Sequence, residues 1–289
     1  MDKKIEKPII IVGAARSGTT MLRTALGVHN KFHSCLTEMN YLWRYGNSNY
    51  PNDALPPDLL SADAKKYIRK HFNKILQTNN SERLVEKTCA NSLRIKYVER
   101  IFPDCQFVHI VRDGRGVVAS ALKRWRSNDS SPYLFKKAIT IPRRDLFKYA
   151  WRYIKNKAVR KIHNKQHRVM WGPIFPDFER TIKNHSLIEV CGIQWTKTVE
   201  KCLEDSREIP RDRYLEIKYE EIIQNPVHSF NKIFDYLNCS LDSQLEEWLK
   251  RNIQSDKNQK WQEEFSQTDL DKLIPHIKNL MLELGYIKE

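Results

Sequence analysis

Residues Ile9 to Thr20 read IIIVGAARSGTT. Apolar, mostly β-branched residues run up to Gly13. A second glycine, Gly18, precedes Met21, Leu22, Ala25 and Leu26 at helical spacing. The pattern predicts a buried strand over 8–12, a loop over 13–17 and a helix over 18–28. A strand that turns through glycines into a helix start aims backbone N–H groups, and the positive end of the helix dipole, at one point. That point favours an anion. Arg16, Ser17, Thr19 and Thr20 add side-chain donors around it.

A second stretch, Phe107 to Ser120, reads FVHIVRDGRGVVAS and repeats the arrangement. A strand is predicted over 106–111 and a helix over 114–122. Arg112 then stands at the carboxyl end of a strand, where open α/β sheets bind ligands. Ser120 falls about two turns into the helix, and Arg124 about one turn beyond it on the same face. Two arginines and a hydroxyl suit a second phosphate. Further strands are predicted at 32–38, 84–85 and 213–217. Helices are predicted at 62–76, 91–102, 187–203, 226–237, 241–249 and 270–284. Strands alternating with helices predict an α/β fold with a parallel sheet covered on both faces.

Which anion follows from what is missing. After the second glycine of a nucleotide-hydrolysing loop comes Lys, then Ser or Thr. Here Thr19 and Thr20 stand there, and the cation comes earlier, at Arg16. A metal-assisted phosphoryl transfer needs that lysine. A sulfuryl group carries less charge, so positioned N–H groups, hydroxyls and a lysine suffice, and no metal is expected. The absent lysine weakens the alternative reading as a kinase or nucleotide hydrolase.

The composition, 40% apolar and 29% charged over 289 residues, is that of a globular domain. No apolar run is long enough to span a membrane. MDKKIEKP leads straight into the first strand without an apolar leader, which predicts a cytoplasmic protein. The six scattered cysteines fit reduced thiols better than disulfides or zinc. Net charge is +15, and it is concentrated. From Lys123 to Arg168 fifteen Lys and Arg face only Asp129 and Asp145, a surplus of 13. Residues 125–184 read as a basic helical insertion or lid within a single domain over 1–289. Such a face suits an anionic acceptor or an anionic membrane surface. Nucleic-acid binding through Trp125, Trp151 and Tyr153 is the weaker alternative, since aromatics at core spacing are usually core.

The two long motifs, in this order, resemble the 3′-phosphoadenylylsulfate-dependent sulfotransferases. Within them, the likeness is to the branch of tyrosylprotein and many bacterial sulfotransferases. RSGTT at Arg16–Thr20 is similar to that family's 5′-phosphosulfate loop, and VRDGRGVVAS at Val111–Ser120 to its 3′-phosphate motif. The resemblance implies a three-layer P-loop-type sheet and 3′-phosphoadenylylsulfate as donor, leaving adenosine 3′,5′-bisphosphate. It implies that Arg16, Ser17, Gly18, Thr19 and Thr20 hold the 5′ end, and that Arg112, Ser120 and Arg124 hold the 3′-phosphate. Tyr219 and Lys260 would close over the nucleotide. Lys87, in Glu86-Lys87-Thr88, would stabilise the leaving oxygen, aided by Arg16. The expected general base is Glu38, although ungapped counting puts Thr37 opposite the family's glutamate; His29 and His33 are the alternatives. Secreted members carry cysteines where Ser34 and Glu86 stand here, which fits a reducing compartment. The expected acceptor is a hydroxyl on a carbohydrate or glycolipid, with a tyrosine peptide or a small molecule as alternatives. The sequence leaves oligomeric state open.

Overall fold

A computed structural model describes residues 5–79, 81–126, 171–253 and 261–288. Two units are distinguished: residues up to Leu122 together with Gly172 onward, and Lys123–Trp171. The stretch 172–184, read from sequence as part of the insertion, belongs to the first unit. Of the second unit only Lys123–Arg126 and Trp171 are described. The helix expected around Phe147–Ile162 lies outside the described residues.

Five strands form one parallel sheet in the order β2-β3-β1-β4-β5. They are β1 (Ile9–Val12), β2 (Phe32–Ser34), β3 (Arg83–Lys87), β4 (Gln106–Val111) and β5 (Tyr214–Lys218). The register sets Ile10 opposite Glu86 on one side and Phe107 on the other. Side chains alternate across the sheet. Ile10, Val12, Leu84 and Phe107 face one core; Ile9, Ile11, Val85, Val108 and Ile110 face the other. Both faces are therefore covered, which is why the strands read as continuous apolar runs.

The helices follow from their apolar stripes and caps. α1 (Thr19–Leu26) leaves the first glycine loop. α2 (Asn40–Trp43) is a single turn, unforeseen because no stripe can show in four residues. α3 (Ala62–Thr78) starts where the Ser61 hydroxyl accepts the Ala64 N–H. The helix predicted over 91–102 splits into a 3-10 turn, Cys89–Leu93, and α4 (Ile95–Ile101). The break falls at Arg94, whose side chain is buried and needs partners on both sides. α5 (Gly114–Arg126) follows β4, and α6 (Phe178–Asn184) precedes α7 (Leu187–Ser206) with its Ser186/Glu189 capping box. α8 (Tyr219–Gln224) begins directly at the end of β5. α9 (Pro226–Tyr236), α10 (Ser243–Asn252), α11 (Trp261–Glu264) and α12 (Gln267–Glu283) complete the described elements.

From β1 the sheet extends to β3 and β2 on one side and to β4 and β5 on the other. The carboxyl ends of β3, β1 and β4 therefore meet where the winding reverses, the place where such sheets hold ligands.

Candidate active site

The loop after β1 is shaped by two glycines that no other residue replaces easily. Gly13 has φ +147°, and a Cβ there would lie 2.5 Å from the Ile110 carbonyl oxygen. Gly18 has φ +95°, and its Cβ would lie 2.5 Å from Cδ2 of Tyr219. Gly13 is pinned from below: its N–H donates to Ser92 Oγ at 2.7 Å, and Ser92 donates to the Gly13 carbonyl at 3.2 Å. Arg16 takes a left-handed φ of +77°, unusual for a residue with a side chain. Strain of this kind gathers at functional sites.

Arg16 joins the two corners predicted from sequence. Its Nε donates to Ser120 Oγ at 2.9 Å, and its carbonyl accepts from Arg112 Nη1 at 3.1 Å. The Arg112 guanidinium lies 4.3 Å over the Tyr219 ring, the same ring that fills the space in front of Gly18. Gly116 leaves room for it, since a Cβ there would come within 3.3 Å of Arg112 Nε. Two donors at this place stay without a partner among the described residues: the buried Ser17 hydroxyl and Arg112 Nε. Unpaired buried donors are costly, and an anion would satisfy them. This set fits a nucleotide carrying phosphate at both ends. Thr20 is exposed; the buried Thr19 hydroxyl lies 3.5 Å from Cys89 Sγ.

The carboxyl end of β3 adds the second half. Lys87 is 5% exposed, and its Nζ donates to Glu38 Oε1 at 2.6 Å. Burial works against its ammonium form, but the Cys89 sulfur and the Glu38 carboxylate outweigh that, and its pKa lies above the ordinary lysine value. Lys87 is thus a buried cation held by a carboxylate. Glu38 keeps 27% side-chain exposure, so one side faces solvent. Its loop is tied by Arg23 Nη1 to the Leu36 carbonyl, 2.7 Å, and by Thr88 Oγ1 to the Met39 N–H, 2.9 Å.

The structure does not bring His29 here. His29 is buried between Phe32 and Phe234, with Nε2 on the Ser240 carbonyl and Asp242. His33 is half-buried, and burial lowers its pKa. Lys260 and residues 127–168 of the basic stretch lie outside the described residues, and Arg124 falls in the second unit. Trp261, next to Lys260, has the Arg115 guanidinium 4.2 Å above its ring. Arg115 in turn is bridged to Asp113 at 2.6 Å. Sequence reasoning missed Ser92, and it missed Glu86, Asn91 and Arg94 beneath Lys87. A polar run in NSLR, where an apolar helix was expected, was the signal.

The sulfotransferase family model matches residues 8–197 and 178–243, most of the chain. The chain belongs to the sulfotransferase family. A putative protein-tyrosine sulfotransferase of Caenorhabditis briggsae is 26% identical over 134 residues, 43% of this chain and 46% of the relative. The chain thus aligns with about half the length of that curated relative. Among solved structures, the sulfotransferase domain of the curacin biosynthetic pathway superposes with a TM-score of 0.60 at 17% identity, covering 99% of this chain and all of that domain. The mouse sulfotransferase SULT7A1, solved with adenosine 3′,5′-bisphosphate (PAP), gives 0.52 at 16% identity, over 99% and 89% of the two chains. These likenesses establish the fold, the α/β sheet expected from the sequence.

Proposed function

We propose that this sulfotransferase moves a sulfuryl group from 3′-phosphoadenylylsulfate to an acceptor hydroxyl. One observation carries the reading: Arg112 reaches the Arg16 carbonyl, so the two anion corners meet at one place. The loop N–H groups of Arg16–Thr20, with Ser17, would hold the 5′ end. Arg112 and Ser120 would hold the 3′-phosphate, with Tyr219 against the nucleotide. The donor supplies a sulfuryl group on a phosphate oxygen. Glu38 takes the proton of the attacking hydroxyl as the new O–S bond forms. Lys87, with Arg16, stabilises the negative charge that collects on the departing oxygen. No metal is required.

For the acceptor we favour a carbohydrate or glycolipid hydroxyl, on the strength of the surplus of 13 positive charges over 123–168. Such a stretch also suits peripheral contact with an anionic membrane surface. Among the described residues no helix is long and apolar enough to cross a membrane. A cytoplasmic setting fits the six free thiols. The likeness to a putative tyrosine sulfotransferase favours an acidic tyrosine peptide as the second reading.

The test is a thermal melt with PAP. At ~100 times its dissociation constant it adds about 2.7 kcal/mol of stability. A melt that moves with ATP and Mg²⁺ but not with PAP rejects the donor. A mass-spectrometric screen of acidic glycans against acidic tyrosine peptides then decides the acceptor.

A further inference from the structure

The carboxylate proposed as base sits on a loop, and loops do not hold a reacting group still by themselves. Behind this loop lies a continuous buried chain of polar side chains. Glu86 is fully buried and, one residue before Lys87 on β3, points to the opposite face of the sheet. Its two oxygens accept from different donors: Thr88 Oγ1 at 2.5 Å and Asn91 Nδ2 at 3.0 Å. Each donor leads back to the loop. The Thr88 hydroxyl, having given its proton to Glu86, accepts the N–H of Met39 at 2.9 Å. Asn91 Oδ1 accepts from Arg94 Nε at 2.9 Å, and Arg94 Nη2 donates to Asn40 Oδ1 at 2.6 Å. Asn40 Nδ2 then donates to Asp53 at 3.1 Å, and Asp53 is closed by Arg44 and the Ile174 N–H. Met39 and Asn40 are the two residues after Glu38. Both are anchored, by two routes, to one carboxylate.

We infer that Glu86 is a positioning residue: through Thr88 and Met39, and through Asn91, Arg94 and Asn40, it holds Glu38 in register with Lys87. This role rests on the reading of Glu38 as base. The network is directional, and that exposes it to a test. A carboxylate accepts from two donors at once; an amide in its place offers one oxygen and one NH₂. Glu86→Gln therefore leaves either Thr88 or Asn91 facing another donor. Adding Asn91→Asp restores the match. The new amide oxygen takes the Thr88 proton, the new NH₂ meets the carboxylate introduced at position 91, and that carboxylate still accepts from Arg94.

The experiment measures turnover of 3′-phosphoadenylylsulfate as PAP release at about pH 8, where Glu86 is ionised, with water, a methyl glycoside and a tyrosine peptide as acceptors. PAP binding is followed in parallel by thermal shift. Displacing a reacting group by about 1 Å costs up to ~100-fold, so Glu86→Gln is expected to lower kcat by about tenfold or more with PAP binding unchanged. The pair Glu86→Gln/Asn91→Asp recovers kcat to within about threefold of wild type. Thr88→Val, which removes the hydroxyl at nearly constant shape, reproduces the loss, and Thr88→Ser does not. These two keep the question open to a clear answer if Glu86→Gln fails to fold. Wild-type kcat in Thr88→Val, or a double variant no better than Glu86→Gln alone, overturns the inference. Glu38→Gln separates the two claims. Full activity there removes the base assignment itself. Loss there, with Thr88→Val unaffected, removes only the positioning role.

Discussion

The candidate site has two differently made sides. The side after β1 and β4 is open: glycines clear space, Arg16 is held in a strained conformation, and the Ser17 hydroxyl and Arg112 Nε have no partner among the described residues. The side after β3 is largely closed: Lys87 is already paired with Glu38, and Glu86, Thr88, Asn91 and Asp53 all have hydrogen-bond partners, with Arg94 Nη1, 3.9 Å from Asp53, the exception within this network. A surface that must take up a polyanion keeps donors in reserve, because donors already paired gain little by exchanging partners. A surface that must present one carboxylate at a fixed place does the reverse. On the proposed function the difference separates binding from chemistry, and substitutions on the two sides should separate them too.

The largest effect is expected on the closed side. Glu38→Gln keeps shape and removes the proposed base, and kcat should fall by about 10²–10⁴. The PAP-induced melting shift should stay. If affinity for PAP falls in parallel with kcat, the two sides are not separable and the comparison fails.

Next come the glycines of the open side. Gly13→Ala forces a Cβ against the Ile110 carbonyl oxygen, a backbone atom that cannot turn away. Strain at positive φ and overlap together should cost about 2–5 kcal/mol and remove PAP binding. Gly18→Ala meets instead the Tyr219 ring. Its overlap should be relieved by Tyr219→Ala, leaving the strain of φ alone, about 1–2 kcal/mol. Denaturant unfolding of the single and double variants checks both. Equal costs at 13 and 18, unaffected by Tyr219→Ala, would mean that backbone strain alone shapes the loop.

The same contrast explains what can be read in advance. The open side is built from short-range signals. Gly13, Gly18 and the apolar run before them are local, and Arg112 follows directly from where β4 ends. Even Ser120, two turns on, needs only helix geometry. The parallel sheet is legible for the same reason, as apolar strands alternating with amphipathic helices. The closed side is built from contacts between residues 39, 53, 88, 94 and 174, and no periodicity relates them. Asn91 and Arg94 read as part of one helix because an apolar pattern surrounds them. Nothing local says that Arg94 is buried and must find an acceptor at Asn40. His29 reads as an alternative base from its place beside the loop region; Phe234 and Ser240, more than 200 residues on, decide that it is core.

Burial also gives the closed side a pH signature. Desolvation pushes the Glu86 carboxyl up to about 7, from an ordinary 4.5. A carboxyl whose folded pKa is raised stabilises the fold below its unfolded value and loses that contribution as pH rises to the folded value. At about 1.4 kcal/mol for each tenfold change in proton affinity, roughly 3 kcal/mol is lost between those two pH values. The Glu86→Gln variant has nothing to ionise there. The stability of wild type minus that of Glu86→Gln should therefore fall across this window and be flat above it. Urea unfolding at a series of pH values measures this directly, and a constant difference would place Glu86 at an ordinary pKa.

The smallest effect asks whether the open side reads both ends of its ligand. The Ser120 hydroxyl accepts a hydrogen bond from Arg16, and its own proton would be donated to the 3′-phosphate. A hydrogen bond is worth about 1 kcal/mol net, and Arg112 remains to grip the phosphate, so Ser120→Ala should cost about 1 kcal/mol of binding. That is roughly fivefold in the dissociation constant of PAP. Adenosine 5′-monophosphate has no 3′-phosphate to offer, and its affinity should be unchanged, or slightly higher once Arg16 is released from the serine. Calorimetric titration with both nucleotides isolates the contribution. An equal loss for the two would assign Ser120 to holding Arg16 in place, with the second anion gripped by Arg112 instead.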